Sequence, residues 1–383
     1  MITDPAAVFF VLAAVVASAV ALERRVRAFR ALGAALVGIL LAMVLSNTGV
    51  IPGESAAYAF LAGPGVGAGI VLILLGVDVR SVAQAGPRML AAFGVGAVGS
   101  VAGATAAALL LADMIGPETW KLGGQYTATY TGGGVNFAAV GAALDTSGEL
   151  FAAGIAADVI VTAMWMATCL AAPVVFSRAA RRAAFGAEGE RADSADPGSA
   201  AAGLYSSGGS LGLFDVSALG ALVLGTLWAS DVLGRVAAPV PGVLWLTTIA
   251  LLLAQVPVVK SLRGAAVLGN WLVLVFLASN GARSVVANIV AVGPPIFWFA
   301  VTTVAVHGLV IFGMGRLLGL DLPTLAVASQ ANVGGPASAM ALASARGYTD
   351  RVLPGVAVGL LGYAAGNYLG LAVAAGLRGI IGG

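Results

Sequence analysis

Long apolar runs alternate with short polar connections along most of the 383-residue chain. A helix that crosses a membrane needs about 20 mainly apolar residues, and ten continuous runs approach or exceed that length. They occupy residues 5–22, 31–45, 56–76, 89–112, 151–176, 213–230, 240–259, 264–279, 295–315 and 353–377. The pattern predicts an all-α polytopic membrane protein.

Two further segments, 121–145 and 322–345, are apolar but interrupted. The first contains GGQYTATYTGGGVNF at 123–137, and the second contains SQANVGGPAS at 329–338. In lipid every backbone N–H and C=O needs a partner, so paired glycines among amides and hydroxyls suit a buried or cavity-lining break better than a plain helix. Pro336 also removes a backbone donor. Both segments are therefore predicted to be broken and to line a binding site.

A polar stretch rich in glycine and serine, 178–212, predicts a flexible cytoplasmic linker. It separates two halves, 1–177 and 213–383, that each hold six apolar segments with the interrupted one in fifth place. This shared order predicts an internal repeat. The repeat is aligned by placing Gly133 over Gly334.

Basic residues decide between two topologies, because Lys and Arg prefer cytoplasmic connections. If the N-terminus is outside and both interrupted segments re-enter, 15 of the 19 basic residues lie inside. If both segments cross instead, the 19 divide almost evenly. The count predicts ten spanning helices, two re-entrant hairpins, both termini outside and two repeats of inverted topology. The hairpin tips should then meet near the bilayer centre, as in secondary transporters.

Composition agrees with this class of protein and narrows the possible chemistry. The chain is 60% hydrophobic and 9% charged, its mean hydropathy is +1.01, and its net charge is +2. Those values indicate a lipid bilayer as partner and give no basic patch for nucleic acid. One cysteine and one histidine cannot form a metal-ligand cluster. No resident cofactor is expected.

Three motifs resemble one known family. They are LLGVDVR at 74–80, TGGGVNF at 131–137 and NVGGP at 332–336, and the resemblance runs over nearly the whole chain. They are similar to the YjcL-like membrane family, catalogued as a domain of unknown function. That family groups with the cation:proton antiporter and anion transporter superfamily, which includes sodium symporters for glutamate, citrate and bile acids. The resemblance implies a dimeric elevator-type carrier with a scaffold domain and a moving core domain.

The tips of the interrupted segments form the predicted substrate site. New half-helices are expected from about Asn136 and from about 337–338, and their unpaired N–H groups suit a carboxylate. The alternative is that the glycines only allow close helix packing. The predicted substrate-binding residues are Thr131, Gly132, Gly133, Gly134, Asn136, Asn332, Gly334, Gly335 and Ser338.

The half-helices expected to end near Tyr130 and Ala331 would present free carbonyls suited to sodium. Asp158 is predicted to lie inside a spanning helix, where an ionisable group is costly and therefore a candidate for function; a neutral hydrogen-bonding role is the alternative. His307 could serve proton coupling or be a structural hydrogen-bonding residue. The predicted coupling-ion residues are Thr127, Tyr130, Asp158, Ser329, Gln330 and Asn367.

These features predict a sodium-coupled secondary active transporter, a symporter for a small organic anion, amino acid or short peptide. We expect it as a homodimer in a bacterial cytoplasmic (inner) membrane. The alternative is a monovalent cation:proton antiporter that uses Asp158. No enzyme activity is expected, because the sequence offers no serine–histidine–acid set, no paired aspartates and no metal motif. A channel fits less well, since tips that meet at a closed midplane favour alternating access.

Overall fold

The computed structural model describes residues 1–176, 211–236, 242–283 and 286–381, and this part of the chain is helical with no strand. Most of the predicted linker lies outside the described residues. The helices are α1 Pro5–Arg25, α2 Arg27–Asn47, α3 Ala56–Leu74, α4 Val79–Ala83, α5 Gly86–Ile115, α6 Thr119–Gly132, α7 Gly134–Ala143, α8 Gly148–Phe176, α9 Leu213–Val236, α10 Gly242–Leu253, α11 Pro257–Lys260, α12 Ala265–Ala282, α13 Val286–Leu317, α14 Leu322–Ala345 and α15 Thr349–Ile381.

Local sequence explains where several of these helices begin, bend and end. Asp4 caps α1, since its Oδ1 accepts from the N–H of Ala7 at 2.8 Å. A π-helical turn over Leu61–Gly65, which contains Pro64, interrupts the α-helical hydrogen-bond pattern of α3. Gly116 ends α5 with a φ of 101° that disfavours other residue types.

Eight helices within the described residues are long and apolar enough to cross a membrane. They are α1, α3, α5, α8, α9, α12, α13 and α15. The second predicted run of each half forms a shorter apolar helix, Gly33–Asn47 and Gly242–Leu253. The predicted class, a multi-pass helical membrane protein, is thus confirmed, while the number of ten crossings stays a prediction.

The helices pack as two bundles. One bundle contains α1, α2, α3, α9, α10 and α12, and the other contains α5 to α8 and α13 to α15. The second bundle holds both interrupted segments. Few contacts join the bundles, and they come mainly from α7, α8 and α15 on one side and α2, α3, α10 and α12 on the other.

Helices in corresponding places of the two halves cross at small residues. A methyl group added at Gly69 would lie 3.1 Å from the carbonyl oxygen of Gly269, and one at Gly269 would lie 2.9 Å from that of Gly69. A methyl group at Gly103 would likewise collide with the backbone of Thr303. Helices α3 and α12, and helices α5 and α13, therefore approach each other backbone to backbone.

The first interrupted segment folds back on itself. Gln125 lies against Gly141, although the break at Gly133 separates them. At the open end, opposite the break, the Nζ of Lys121 donates to the carbonyl of Asp145 at 2.8 Å. The backbone N–H of Ser147, which follows α7, donates to Oε2 of Glu118 at 3.1 Å. The pair α6–α7 is thus a hairpin whose two ends lie together.

The second interrupted segment, α14, has the same shape. Val327 and Ala339, on opposite sides of the break at Gly335, both pack against Gly355 of α15. At the open end Arg351 forms an ion pair with Asp321 at 2.8 Å, which holds the start of α14 beside the start of α15. Both predicted breaks therefore turn the chain back toward the end of the bundle from which it came.

Candidate functional site

The two helix breaks touch each other. The chain leaves helical geometry at Gly133, with φ 98° and ψ 175°, and at Gly335, with φ 76° and ψ −168°. Only glycine adopts this backbone region readily. A methyl group added at Gly133 would lie 3.5 Å from the Cα of Gly335, and one at Gly335 would lie 3.2 Å from the carbonyl oxygen of Gly132. The two breaks thus lie at Gly133 and Gly335, whereas the predicted repeat alignment places Gly133 over Gly334, and the repeat itself stays a prediction.

The bounds of the half-helices also differ from the sequence expectation. Helix α6 continues to Gly132, although Tyr130 has a non-helical ψ of 15°, and α7 begins at Gly134 rather than near Asn136. In α14 the first half continues beyond Ala331 to the break at Gly335. The second break is therefore a single glycine, while the first combines Gly133 with a distortion at Tyr130.

Buried polar atoms without a hydrogen-bond partner are concentrated at these breaks. Among the described residues, seven such atoms lie close to one break or the other. Buried polar groups normally have partners, so a cluster of exceptions points to a site for an ion, water or ligand. The Oη of Tyr130 is not among them, because it donates to the carboxylate of Asp158. The seven atoms are Thr127 Oγ1, Thr129 Oγ1, Asn136 Oδ1, Gln330 Nε2, Gln330 Oε1, Asn332 Nδ2 and Asn332 Oδ1.

Asn136 connects the first tip to the last helix. Its Nδ2 donates to the carbonyl of Tyr363 and to Oδ1 of Asn367, both at 2.9 Å. Asn367 in turn donates from Nδ2 to Oγ1 of Thr247 at 3.2 Å. This chain of bonds runs from α7 through α15 to α10, so it also crosses from one bundle to the other.

Asp158 is buried in the middle of α8, beside the first tip. A methyl group added at Gly134 would lie 4.0 Å from Oδ2 of Asp158, and Oγ1 of Thr162 donates to its Oδ1 at 3.4 Å. The other described acids occupy connections or the ends of helices. The one carboxylate in the middle of a described helix is therefore next to the N-terminus of α7.

The second tip carries neutral donors and acceptors. A methyl group at Gly334 would lie 2.5 Å from Oγ of Ser338 and 2.7 Å from Nε2 of Gln330. Asn332 faces α5, where a methyl group on Gly96 would collide with its Oδ1. No described Lys or Arg lies in the middle of a helix. This tip therefore presents N–H and O–H groups and no basic side chain among the described residues.

His307 links the two hairpins. Its Nδ1 lies 2.9 Å from the carbonyl of Gly96, so this nitrogen donates, and Nε2 of the neutral ring accepts from the hydroxyl of Ser329 at 2.9 Å. Ser100, 3.0 Å from the same Nδ1, donates to the carbonyl of Tyr130. Nε1 of Trp165 donates to Ser329 at 2.9 Å. The ring thus occupies a structural network between α14 and the end of α6.

Most of the predicted polar residues surround the touching breaks. Two of them bond elsewhere. Ser329 bonds to Trp165 and His307, and Thr131 donates to the carbonyl of Thr127 at 2.7 Å. Thr129 and Ser100 were missed by the sequence argument. Thr129 lies in the glycine-rich stretch itself and could have been included, whereas Ser100 gives no signal within an ordinary apolar run.

Comparison with known proteins agrees with the three motifs. Residues 7–380 match the family described as "Protein of unknown function (DUF819)". The chain belongs to this family. It is also 30% identical over 366 residues to the "Uncharacterized membrane protein YjcL" of Bacillus subtilis (strain 168), and the match covers 92% of each chain. The predicted family is confirmed, and membership in the wider transporter superfamily stays a prediction.

Proposed function

We propose that this protein is a secondary active transporter that binds a small organic solute between its two hairpin tips. The observation that carries the proposal is the cluster of unpartnered buried atoms, such as those of Gln330 and Asn332, around two helix breaks in contact. Broken helices that meet with their ends exposed give a protein groups for a solute and an ion without opening a continuous pore.

The proposed architecture is a pair of inverted repeats with a moving core and a fixed scaffold. Two facts support it: corresponding helices meet at Gly69 with Gly269 and at Gly103 with Thr303, and the hairpins share one bundle that is sparsely joined to the other. In an elevator-type mechanism the hairpin bundle would slide against the scaffold bundle. The termini outside, a homodimer and the bacterial inner membrane belong to the same proposal.

Sodium is the proposed coupling ion. Hydroxyl oxygens of Thr127 and Thr129 are buried without partners where α6 ends, and the carbonyl ends of the half-helices add further oxygens. Hard monovalent cations are bound by such neutral oxygens. The second candidate is a cation:proton antiporter, and the burial of Asp158 beside Gly134 favours it, since a buried carboxylate can exchange a proton for a cation.

Uptake into proteoliposomes tests the proposal. The purified protein is reconstituted, and uptake of labelled amino acids, dicarboxylates and short peptides is measured under an imposed sodium gradient or an imposed pH gradient. Symport predicts accumulation of at least one compound with the sodium gradient. Uptake that persists in sodium-free medium at clamped pH would exclude sodium symport.

A pH-sensitive dye inside the same vesicles tests the antiporter. Proton release in response to external Na⁺ or K⁺, abolished by Asp158→Asn, would establish exchange without an organic solute. If neither gradient drives any flux, the transporter proposal fails.

A further inference from the structure

The two hairpin tips are chemically different. In each, a half-helix of ten residues begins at the break, α7 at Gly134 and the second half of α14 at Pro336. The first N–H groups of a helix have no partner within it and carry a partial positive charge. Both N-termini therefore favour a negative group, but the described part of the chain supplies one at only one of them.

The N-terminus of α7 has an acid of its own. Oδ2 of Asp158 would lie 4.0 Å from a methyl group on Gly134, and Asp158 is 8% exposed. In its ionised form this carboxylate compensates the positive end of α7 and adds negative charge beside the first tip.

The second N-terminus has donors instead of an acid. Gln330 is fully buried, both of its amide atoms lack partners, and its Nε2 lies near Gly334 together with the hydroxyl of Ser338. Ser338 is part-exposed. The acids nearest in sequence are Asp321, at the open end of the hairpin, and Asp350, in the first turn of α15.

We propose that the substrate is a zwitterion, an amino acid or a short peptide, whose carboxylate binds at Gln330 and Ser338 and whose ammonium group faces Asp158. This inference rests on the proposed transport function and narrows its substrate class. A second carboxylate on the solute would meet Asp158 with no basic side chain in the middle of any described helix to offset the repulsion. Dicarboxylates are therefore excluded.

Thermal unfolding of the purified protein tests the anion site without a known substrate. Ser338 is the third residue of its half-helix, where an acidic side chain can reach back to the free N–H groups. Ser338→Asp should raise Tm by about 1–4 °C, whereas Ser338→Asn should not. Ser344→Asp, at the other end of the same half-helix, is the matched control and should not raise Tm either. If the Tm of Ser338→Asp is no higher than that of Ser338→Asn, the anion site is overturned.

Ligand dependence of Tm tests the zwitterion. Glycine, L-alanine and L-alanyl-L-alanine are compared with acetate and succinate, all in the same sodium concentration. At least one zwitterion should raise the Tm of the wild type and of Ser344→Asp, and the effect should vanish in Ser338→Asp. An effect of succinate as large as that of the zwitterions, or no effect of any zwitterion, overturns the proposal.

These binding measurements fail separately from the transport experiment. If a zwitterion binds but no flux is found in proteoliposomes, the transport function is wrong and the site stands. If dicarboxylates are transported, the zwitterion site is wrong and the transport function stands.

Discussion

Asn136 donates to Asn367 across 231 positions of sequence, with Nδ2 and Oδ1 2.9 Å apart. The bond joins the first turn of α7, at the hairpin tip, to the middle of α15. Both side chains are buried, and Asn367 is itself bonded to Thr247 of the other bundle. A group at the candidate site is thus connected directly to the surface along which the two bundles meet.

This bond should be visible as coupling between two substitutions. Asn136→Ala leaves Oδ1 of Asn367 without its donor, and Asn367→Ala removes one of the two acceptors of Asn136 Nδ2; each should cost about 1–3 kcal/mol. Because they break the same bond, their effects on the free energy of unfolding should be non-additive by at least about 0.5 kcal/mol. The control is Tyr368→Phe, which removes a separate bond to Thr248 between α15 and α10 and should add to Asn136→Ala within about 0.5 kcal/mol. Additivity in the first pair would contradict the bond.

His307 should matter for stability through the network it holds. His307→Phe removes the donor to Gly96 and the acceptor for Ser329, so we expect a loss of about 1–3 kcal/mol in unfolding free energy. The control is Thr303→Val, one turn earlier, whose hydroxyl only donates to the carbonyl of Phe299 in the same helix. Denaturation of both variants should show the larger loss of unfolding free energy for His307→Phe. Equal losses would show that the hydrogen bonds of His307 to Gly96 and Ser329 do not stabilise the fold.

The breaks were predictable from sequence because lipid places a strict demand on the backbone. Adjacent glycines beside amides and hydroxyls, as at Gly133 and Gly335, favour a helix break, and a break is tolerated only where the backbone is buried in protein or lines a cavity. The contacts around them were not predictable. The bond from Ser100 to Tyr130 and the position of His307 depend on how three helices are rotated and shifted against one another, and a single sequence of apolar residues does not determine that rotation.

Glu118 should make stability depend on acid pH. Partial burial raises the pKa of Glu118, but hydrogen bonds from Lys121 and Ser147 outweigh burial and hold the pKa below its usual value. A lowered pKa in the folded state gives stability that is present at neutral pH and is lost as pH falls through the folded-state pKa. Tm of the wild type should therefore drop more between about pH 5 and pH 3 than Tm of Glu118→Gln. Parallel curves for the two proteins would show that the bonds are absent in solution.

Cysteine labelling tests whether the first hairpin returns to the side of the membrane where it begins. In a Cys169→Ala background, cysteines at Pro117 and Asp145 should react with an impermeant thiol reagent from the same side, since both residues are exposed at the open end of the hairpin. A cysteine at Thr349, beside the open end of the second hairpin, should react from the opposite side. Opposite labelling at the first two positions would mean that the segment crosses.

Gly133→Ala tests whether the break itself serves transport. Its φ of 98° and ψ of 175° lie in a region that is nearly reserved for glycine, so alanine should cost about 1–3 kcal/mol in unfolding free energy. Gly116 is a matched control, because its φ of 101° and ψ of −163° impose a similar strain in open space away from the tips. Both variants should lose similar stability by denaturation. Only Gly133→Ala should lose solute uptake in proteoliposomes, because the added methyl group sits against Gly335. We expect a loss of about tenfold or more, which corresponds to about 1.4 kcal/mol of binding free energy. Equal uptake in the two variants would show that the touching breaks are structural and that the solute binds elsewhere.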